Sequence, residues 1–236
     1  MATKFSIERS MPSCEVDLAL LKEIQSYVLR NVSSFTGIPQ EKVASEWELT
    51  ISDGVGKETI KSIEDYSSAH LPNTTESIKA NLRVYDEEHI RANITISLST
   101  TARYSRADIQ FTSENAKEKC EGVSSGLFQV ASKRRNYHWL FHGISIEVVK
   151  FITFLVLPFL TIILWPKNKM LGWTFACATA MGILILLGIS SHPYCAFDTP
   201  RYRQRKKLWT WTFLSVLGFC LVTSAGTGIR RQLLGW

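Results

Sequence analysis

The chain has 236 residues, a net charge of +6 and 45% hydrophobic residues, with no low-complexity tract. That length admits one domain or two. The averages conceal a division: residues 1–132 carry 14 Lys/Arg against 19 Asp/Glu, a net −5, and residues 133–236 carry 13 against two, a net +11. An ordinary polar half is joined to a basic, strongly apolar one. The five cysteines, Cys14, Cys120, Cys177, Cys195 and Cys220, are far apart and odd in number. This argues against a disulfide framework or a metal cluster, and they are expected to be small buried hydrophobes.

The opening MATKFSIERSMPS lacks the apolar core of about 7–15 residues that a secretory signal needs, so the first half is expected in the cytosol. KFSIE reads as a short strand. In SCEVDLALLKEIQSYVLRNV, Val16, Leu20, Leu21, Ile24, Tyr27 and Val28 recur near helical spacing, with Ser13 as the expected N-cap. EWELTIS alternates, placing Trp47, Leu49 and Ile51 on one side, and DGVG turns it into KETIKSI. ESIKANLRVY and HIRANITISL form the clearest hairpin. Its apolar positions are Ile78, Ala80, Leu82 and Val84, then Ile90, Ala92, Ile94, Ile96 and Leu98. RADIQFT adds a strand through Ala107, Ile109 and Phe111. A closing helix, capped by Ser113 and running to Arg135, is expected to bury Leu127, Phe128 and Val130. Helix, four or five strands and helix predict an α+β soluble domain over residues 1–135, an antiparallel sheet covered by helices. Residues 136–143 read as an interfacial linker.

Residues 144–236 read as an all-α membrane bundle of three transmembrane helices, spanning 144–165, 170–190 and 208–226. At about 1.5 Å per residue, roughly 20 residues cross a hydrocarbon core about 30 Å thick. The first segment holds only Glu147 and Lys150 as charges, and the other two hold none. Trp139, Trp165, Trp173, Trp209 and Trp211 lie near the segment ends, where an amphipathic ring anchors at the headgroup level. Pro158 is expected to kink the first helix. Ala178 and Gly182, four apart, offer a face for close helix packing.

Orientation follows from the basic residues. Lys133, Arg134 and Arg135 precede the first segment, Lys150 lies near its start and is counted with them, and Arg201, Arg203, Arg205, Lys206 and Lys207 link the second to the third. The opposite side would receive two in PKNK and two at Arg230 and Arg231. Positive charge favours the cytoplasmic side, which places the N-terminal domain there and the C-terminus opposite. Lys133–Arg135 and the 201–207 cluster are then the expected contacts to anionic headgroups, each worth about 1 kcal/mol near a surface. Set between two apolar segments, RYRQRKKLWTW reads as a topology signal, and no nucleic-acid partner is expected. Sequons at Asn31, Asn73 and Asn93 would be acceptors only in a lumenal domain.

No catalytic constellation stands out. GVGKET lacks the first glycine of a phosphate loop, having Ile51 there, and carries Glu58 where the loop needs Ser or Thr, so it reads as a hairpin turn. HWLFH spaces His138 and His142 one helical turn apart. Two ligands do not hold a catalytic metal, so they read as interfacial residues and as the candidates for a pH response. No cofactor or metal is expected. The apolar segments hold no central ionisable residue, which argues against a secondary transporter. Three function classes remain. The first is a cytosolic domain that senses a ligand or partner and is coupled to an oligomerising or membrane-permeabilising bundle. The second is a non-catalytic scaffold or anchor subunit, and the third a membrane-bound enzyme with a noncontiguous site acting on lipid or nucleotide. The expected partners are the bilayer and its anionic headgroups, together with further copies or a protein bound through the cytosolic domain.

Overall fold

The computed structural model describes residues 3–86, 89–139, 151–166 and 192–211, with isolated helical positions at 175, 179, 183, 186 and 215. Two compact units divide the chain, Met1–Asp198 and Thr199–Trp236.

The first unit is built on a six-stranded antiparallel sheet. Its strands are β1 (Thr3–Ser10), β3 (Trp47–Asp53), β4 (Lys57–Ile60), β5 (Thr75–Asp86), β6 (His89–Ser99) and β7 (Arg106–Ser113), in the spatial order β1-β7-β6-β5-β3-β4. The period-2 pattern decides which face is inside. Trp47, Leu49 and Ile51, then Ile78, Ala80, Leu82 and Val84, then Ala92, Ile94, Ile96 and Leu98, then Ala107, Ile109 and Phe111 are all buried. Ile90 departs from the expected alternation. A register shift between Val84 and Tyr85 pairs it with Tyr85, and both side chains are partly exposed. At the β3–β4 turn, Asp53 Oδ1 accepts from Val55 N at 2.9 Å and Gly56 N at 2.7 Å, so DGVG is an Asx-type hairpin turn. Those two N–H groups hold the Asp53 carboxyl below its ordinary value.

Two helices cover the buried face. Helix α1 (Leu18–Thr36) turns Leu20, Leu21, Ile24, Val28 and Val32 inward, and α3 (Ala116–Ser132) contributes Cys120, Val123, Leu127 and Val130. A short α2 (Gln40–Ser45), absent from the sequence pattern, buries Val43. Both expected caps are displaced. Asp17 caps α1, accepting from Leu20 N at 2.7 Å, because residues Glu15–Val16 are drawn into a strand, β2. Asn115, in the left-handed region at φ 56°, precedes α3, and the Ser113 hydroxyl instead receives Lys119 Nζ at 3.1 Å. Phe128 is half-buried, with the Arg9 guanidinium 4.3 Å above its ring. The helices meet at Gly126, where an added Cβ would fall 1.8 Å from Tyr27 Oη. That oxygen donates to Gly122 O at 3.2 Å.

A helical stretch, 151–164, changes character at its proline. Ile152–Val156 form a π-helical turn and α4 (Leu157–Leu164) continues as α-helix, with Pro158 in its first turn. Proline has no N–H and its ring crowds the carbonyl four residues back, which accounts for the widened turn before it. Among the described residues no helix is long and apolar enough to cross a membrane. Most of the three predicted spans, including Glu147, Lys150, Ala178 and Gly182, lies outside the described residues.

The second unit contributes helix α5, residues 200–211. Thr199 caps it, its Oγ1 accepting from Tyr202 N at 3.1 Å and its carbonyl from Arg203 N at 3.0 Å, with Pro200 at the first helical position.

Candidate functional site

The chemistry of the first unit concentrates where four distant segments meet. Residues 11–16 lead from β1 into α1, and residues 99–105 join β6 to β7. Residues 134–139 follow α3, and residues 192–198 lie beyond the second predicted span. β2 is the spine. On one side Cys14 bridges Arg135 in antiparallel sense, with Glu15 N bonded to Arg134 O at 2.9 Å and Asn136 N to Ser13 O at 3.1 Å. On the other side β8 (Ala196–Phe197) pairs with β2 in parallel, Glu15 opposite Ala196 and Val16 opposite Phe197. Ala196 N donates to Cys14 O and Asp198 N to Val16 O, both at 2.9 Å.

The same connector is tied to the end of β6. Tyr194 N donates to Thr100 O at 2.8 Å and Cys195 N to Ser99 O at 3.1 Å. Tyr194 Oη donates to Met11 O at 2.9 Å, and burial pushes its phenol above the ordinary value. The anchoring is interior. Cys195 and Ala196 are 0% exposed and Phe197 3%, as deep as the centre of the sheet. A backbone at that depth must bond every N–H it can, and the donors at 194, 195, 196 and 198 do so.

Around this spine stand polar side chains. Ser105, 1% exposed, donates through Oγ to Ser99 O and accepts from Ser99 N, both at 3.0 Å, and lies 3.5 Å from Cys195 Sγ. The Cys14 and Cys195 thiols are close enough to interact. That interaction, with burial, pushes the Cys14 thiol far up and favours the thiolate on Cys195. Ser13 donates to Asn136 Oδ1, which also receives His138 N at 3.1 Å. His138 Nδ1 lies 2.8 Å from Pro193 O; a carbonyl only accepts, so Nδ1 carries the proton. The His138 ring meets the His192 ring edge-on, centroids 4.8 Å apart.

The predicted site residues distribute around this junction. Lys133 pairs with Glu23, Arg134 with Asp17, and Arg135 lies 5.5 Å from the Trp139 ring centroid. All three cations thus have partners inside the domain. Arg201, Arg203, Arg205, Lys206 and Lys207 lie on α5 and are exposed, and Lys206 Nζ sits 5.9 Å from the Tyr202 ring. Trp165 follows α4, and Trp209 and Trp211 end the described part of α5. Trp173 and His142 lie outside the described residues, so His138 is placed beside His192 rather than beside its sequence neighbour. Asn31 lies within α1 and bonds back to Tyr27 O at 2.7 Å, and Asn93 lies inside β6 between Arg83 and Gln110. Cys14 and Cys195 are buried as expected, but sequence reasoning did not bring them together, nor did it assign Ser105, His192 and Tyr194 to a site. The one local signal is HPYCAF, a compact β-prone run between an apolar segment and the Asp-Thr-Pro helix start.

Among the described residues no group of three or more His, Cys, Asp or Glu side chains is placed to hold a metal ion. No protein-family model, curated protein or solved structure matches the chain.

Proposed function

We propose that the chain is an integral membrane protein whose cytosolic α+β domain senses a ligand or partner and transmits that event, through the 11–16/192–198 junction, to a small bundle of apolar helices. The observation that carries this reading is the burial of the connector in the domain core. His138 and His192, which flank the two apolar segments in the sequence, lie ring against ring. A return to the same place requires an even number of membrane crossings between them. The two apolar segments 144–165 and 170–190 satisfy that parity, and the positive-charge distribution gives the same orientation.

Lipid is the reading that best suits residues 151–165. Phe151, Phe154, Leu155, Phe159 and Ile162 are each about 60–70% exposed along one short helical stretch. In water such a surface would be an aggregation site, and against acyl chains it is solvated. Asn31 and Asn93, held in a helix and an inner strand, make poor glycosylation acceptors, in keeping with a cytosolic domain. On this arrangement α5, with its five cations, starts immediately after the anchored connector and meets the anionic headgroups.

Coupling follows mechanically. A ligand or partner that reshapes the junction displaces both the strand leading to α5 and the segment leading to the first apolar helix. Dye leakage from proteoliposomes holding the full chain tests this. Ala196→Asp places a charge at a fully buried position and releases the connector; leakage or assembly state is expected to change. Unchanged leakage and unchanged assembly, with the connector shown to be released, would remove the coupling. A scaffold reading draws support from the other sheet face, where Glu48, Lys79, Arg83 and Arg106 are exposed. On that reading, one unrelated span in place of all three segments preserves function.

A further inference from the structure

We propose that Cys14 and Cys195 are a reversible dithiol–disulfide latch, closed by a peroxide oxidant, that fixes the connector covalently to the domain.

The geometry of the ladder carries this. Glu15 opposes Ala196 and Val16 opposes Phe197 in parallel, so the preceding rung of the same ladder is Cys14 opposite Cys195. The bond from Ala196 N to Cys14 O extends the ladder to that rung. Opposed residues of neighbouring strands are about 4.8 Å apart and project to the same side, within the Cα separation of about 4.4–6.8 Å that a disulfide spans. Both thiols are free and buried, and close enough to interact. Cys120 shows the contrast: its thiol bonds to backbone, including Phe5 O at 3.5 Å and Ile109 O at 3.7 Å. A cysteine that serves only as a small hydrophobe needs no second thiol beside it. Cys14 and Cys195, 181 positions apart in the chain, are brought together with a buried serine hydroxyl on the second sulfur.

The roles within the pair are unequal. The neighbouring Cys14 thiol favours the thiolate on Cys195, which is the nucleophile. It attacks one oxygen of hydrogen peroxide, the O–O bond breaks, and the departing hydroxide takes up a proton as water. The sulfenic acid on Cys195 is then attacked by the Cys14 sulfur. The S–S bond forms, the S–O bond breaks, and the hydroxyl leaves with the Cys14 proton as a second water. Two thiols are oxidised, one peroxide is reduced, and a dithiol reductant reverses the step. The bond closes a loop that contains five of the six strands of the sheet, all but β1, and the segment between His138 and His192. An oxidised connector cannot leave β2, so oxidation holds the junction in its closed form. This chemistry stands whether or not the junction transmits a signal.

The test uses the full chain in detergent micelles with Cys177→Ser, so that the tryptic peptide covering 170–201 holds one thiol. Native protein is treated with hydrogen peroxide, quenched with catalase, denatured, alkylated with N-ethylmaleimide and digested without reductant. The expected product is one cross-linked species joining the Ser10–Lys22 peptide to the Cys195 peptide, two hydrogens lighter than their sum and lost on dithiothreitol treatment. In Cys14→Ser the Cys195 sulfenic acid persists and is captured by dimedone. Recovery of both cysteines alkylated, separate oxidation to sulfinic or sulfonic acids, or pairing of either with Cys120 or Cys220 would each overturn the latch. If Cys14→Ser does not fold, the wild-type cross-link and its reversal by reductant decide the matter alone.

Discussion

The β5–β6 hairpin and the connector junction are equally buried, yet they are made differently. In the hairpin, strands 12 and 11 residues long are joined by two residues, and alternation alone sends Ile78, Leu82, Ile94 and Ile96 inward. At the junction, β2 and β8 are two residues each, and their partners are separated by most of the chain. The hairpin is specified by neighbours in sequence, whereas the junction joins pieces far apart in the chain, whose contacts loop closure makes slow to form. The coupling proposed above requires that the junction open separately from the rest of the core.

Substitutions can sharpen that contrast. Trp47→Ala removes a side chain that is 1% exposed on β3, and a loss of about 3–5 kcal/mol across the whole domain is expected in denaturant unfolding. Phe197→Ala is expected to cost about 3 kcal/mol, confined to the connector. Amide exchange at 194–198 should rise while β5 and β6 stay protected; equal loss in both regions would make the junction an ordinary part of one cooperative core. Gly126→Ala forces Tyr27 from its place between α1 and α3, at about 1–3 kcal/mol, and Tyr27→Ala in that background, which removes the clashing ring, should cost less than the sum of the two single changes. Asp17→Ala removes both the α1 cap and the Arg134 partner, with an expected loss of about 1–2 kcal/mol in thermal unfolding.

The smallest effect is a pH response at the β3–β4 turn. The Asp53 carboxyl is held below its ordinary value by the Gly56 and Val55 N–H groups. Its stabilisation is therefore full above the unfolded-state value and lost as pH falls through the lowered one. Exchange at Val55 and Gly56 should accelerate only in strong acid, and Asp53→Asn should flatten that profile. Acceleration beginning above the ordinary aspartate range, about 3.9, would contradict it.

How much was legible follows the same line. Period-2 alternation in 75–113 and the 3.6-residue spacing of α1 gave the antiparallel sheet and its helical cover, because those signals are carried by neighbours in sequence. Caps were read four residues early at Ser13 and two early at Ser113. Both residues are chemically suited, but bonds to Asn136 and from Lys119 engage their hydroxyls. Cys14, Cys195 and Ser105 carry no local pattern, since each is defined by a partner about 90 or more positions away. Assigning residues 144–236 to the membrane by hydropathy also carried 192–198 with them. Seven residues of mixed character do not register beside two long apolar runs.

The most direct test is hydrogen–deuterium exchange on the full chain in a lipid bilayer, resolved at the amides of Tyr194, Cys195, Ala196 and Asp198. A connector built into the domain should protect all four at least as strongly as the first turn of α1, and Ala196→Asp should release them together while β5–β6 stays protected. Exchange at the rate of an open loop in the unmodified chain, beside a protected sheet, would contradict the junction and the coupling drawn from it.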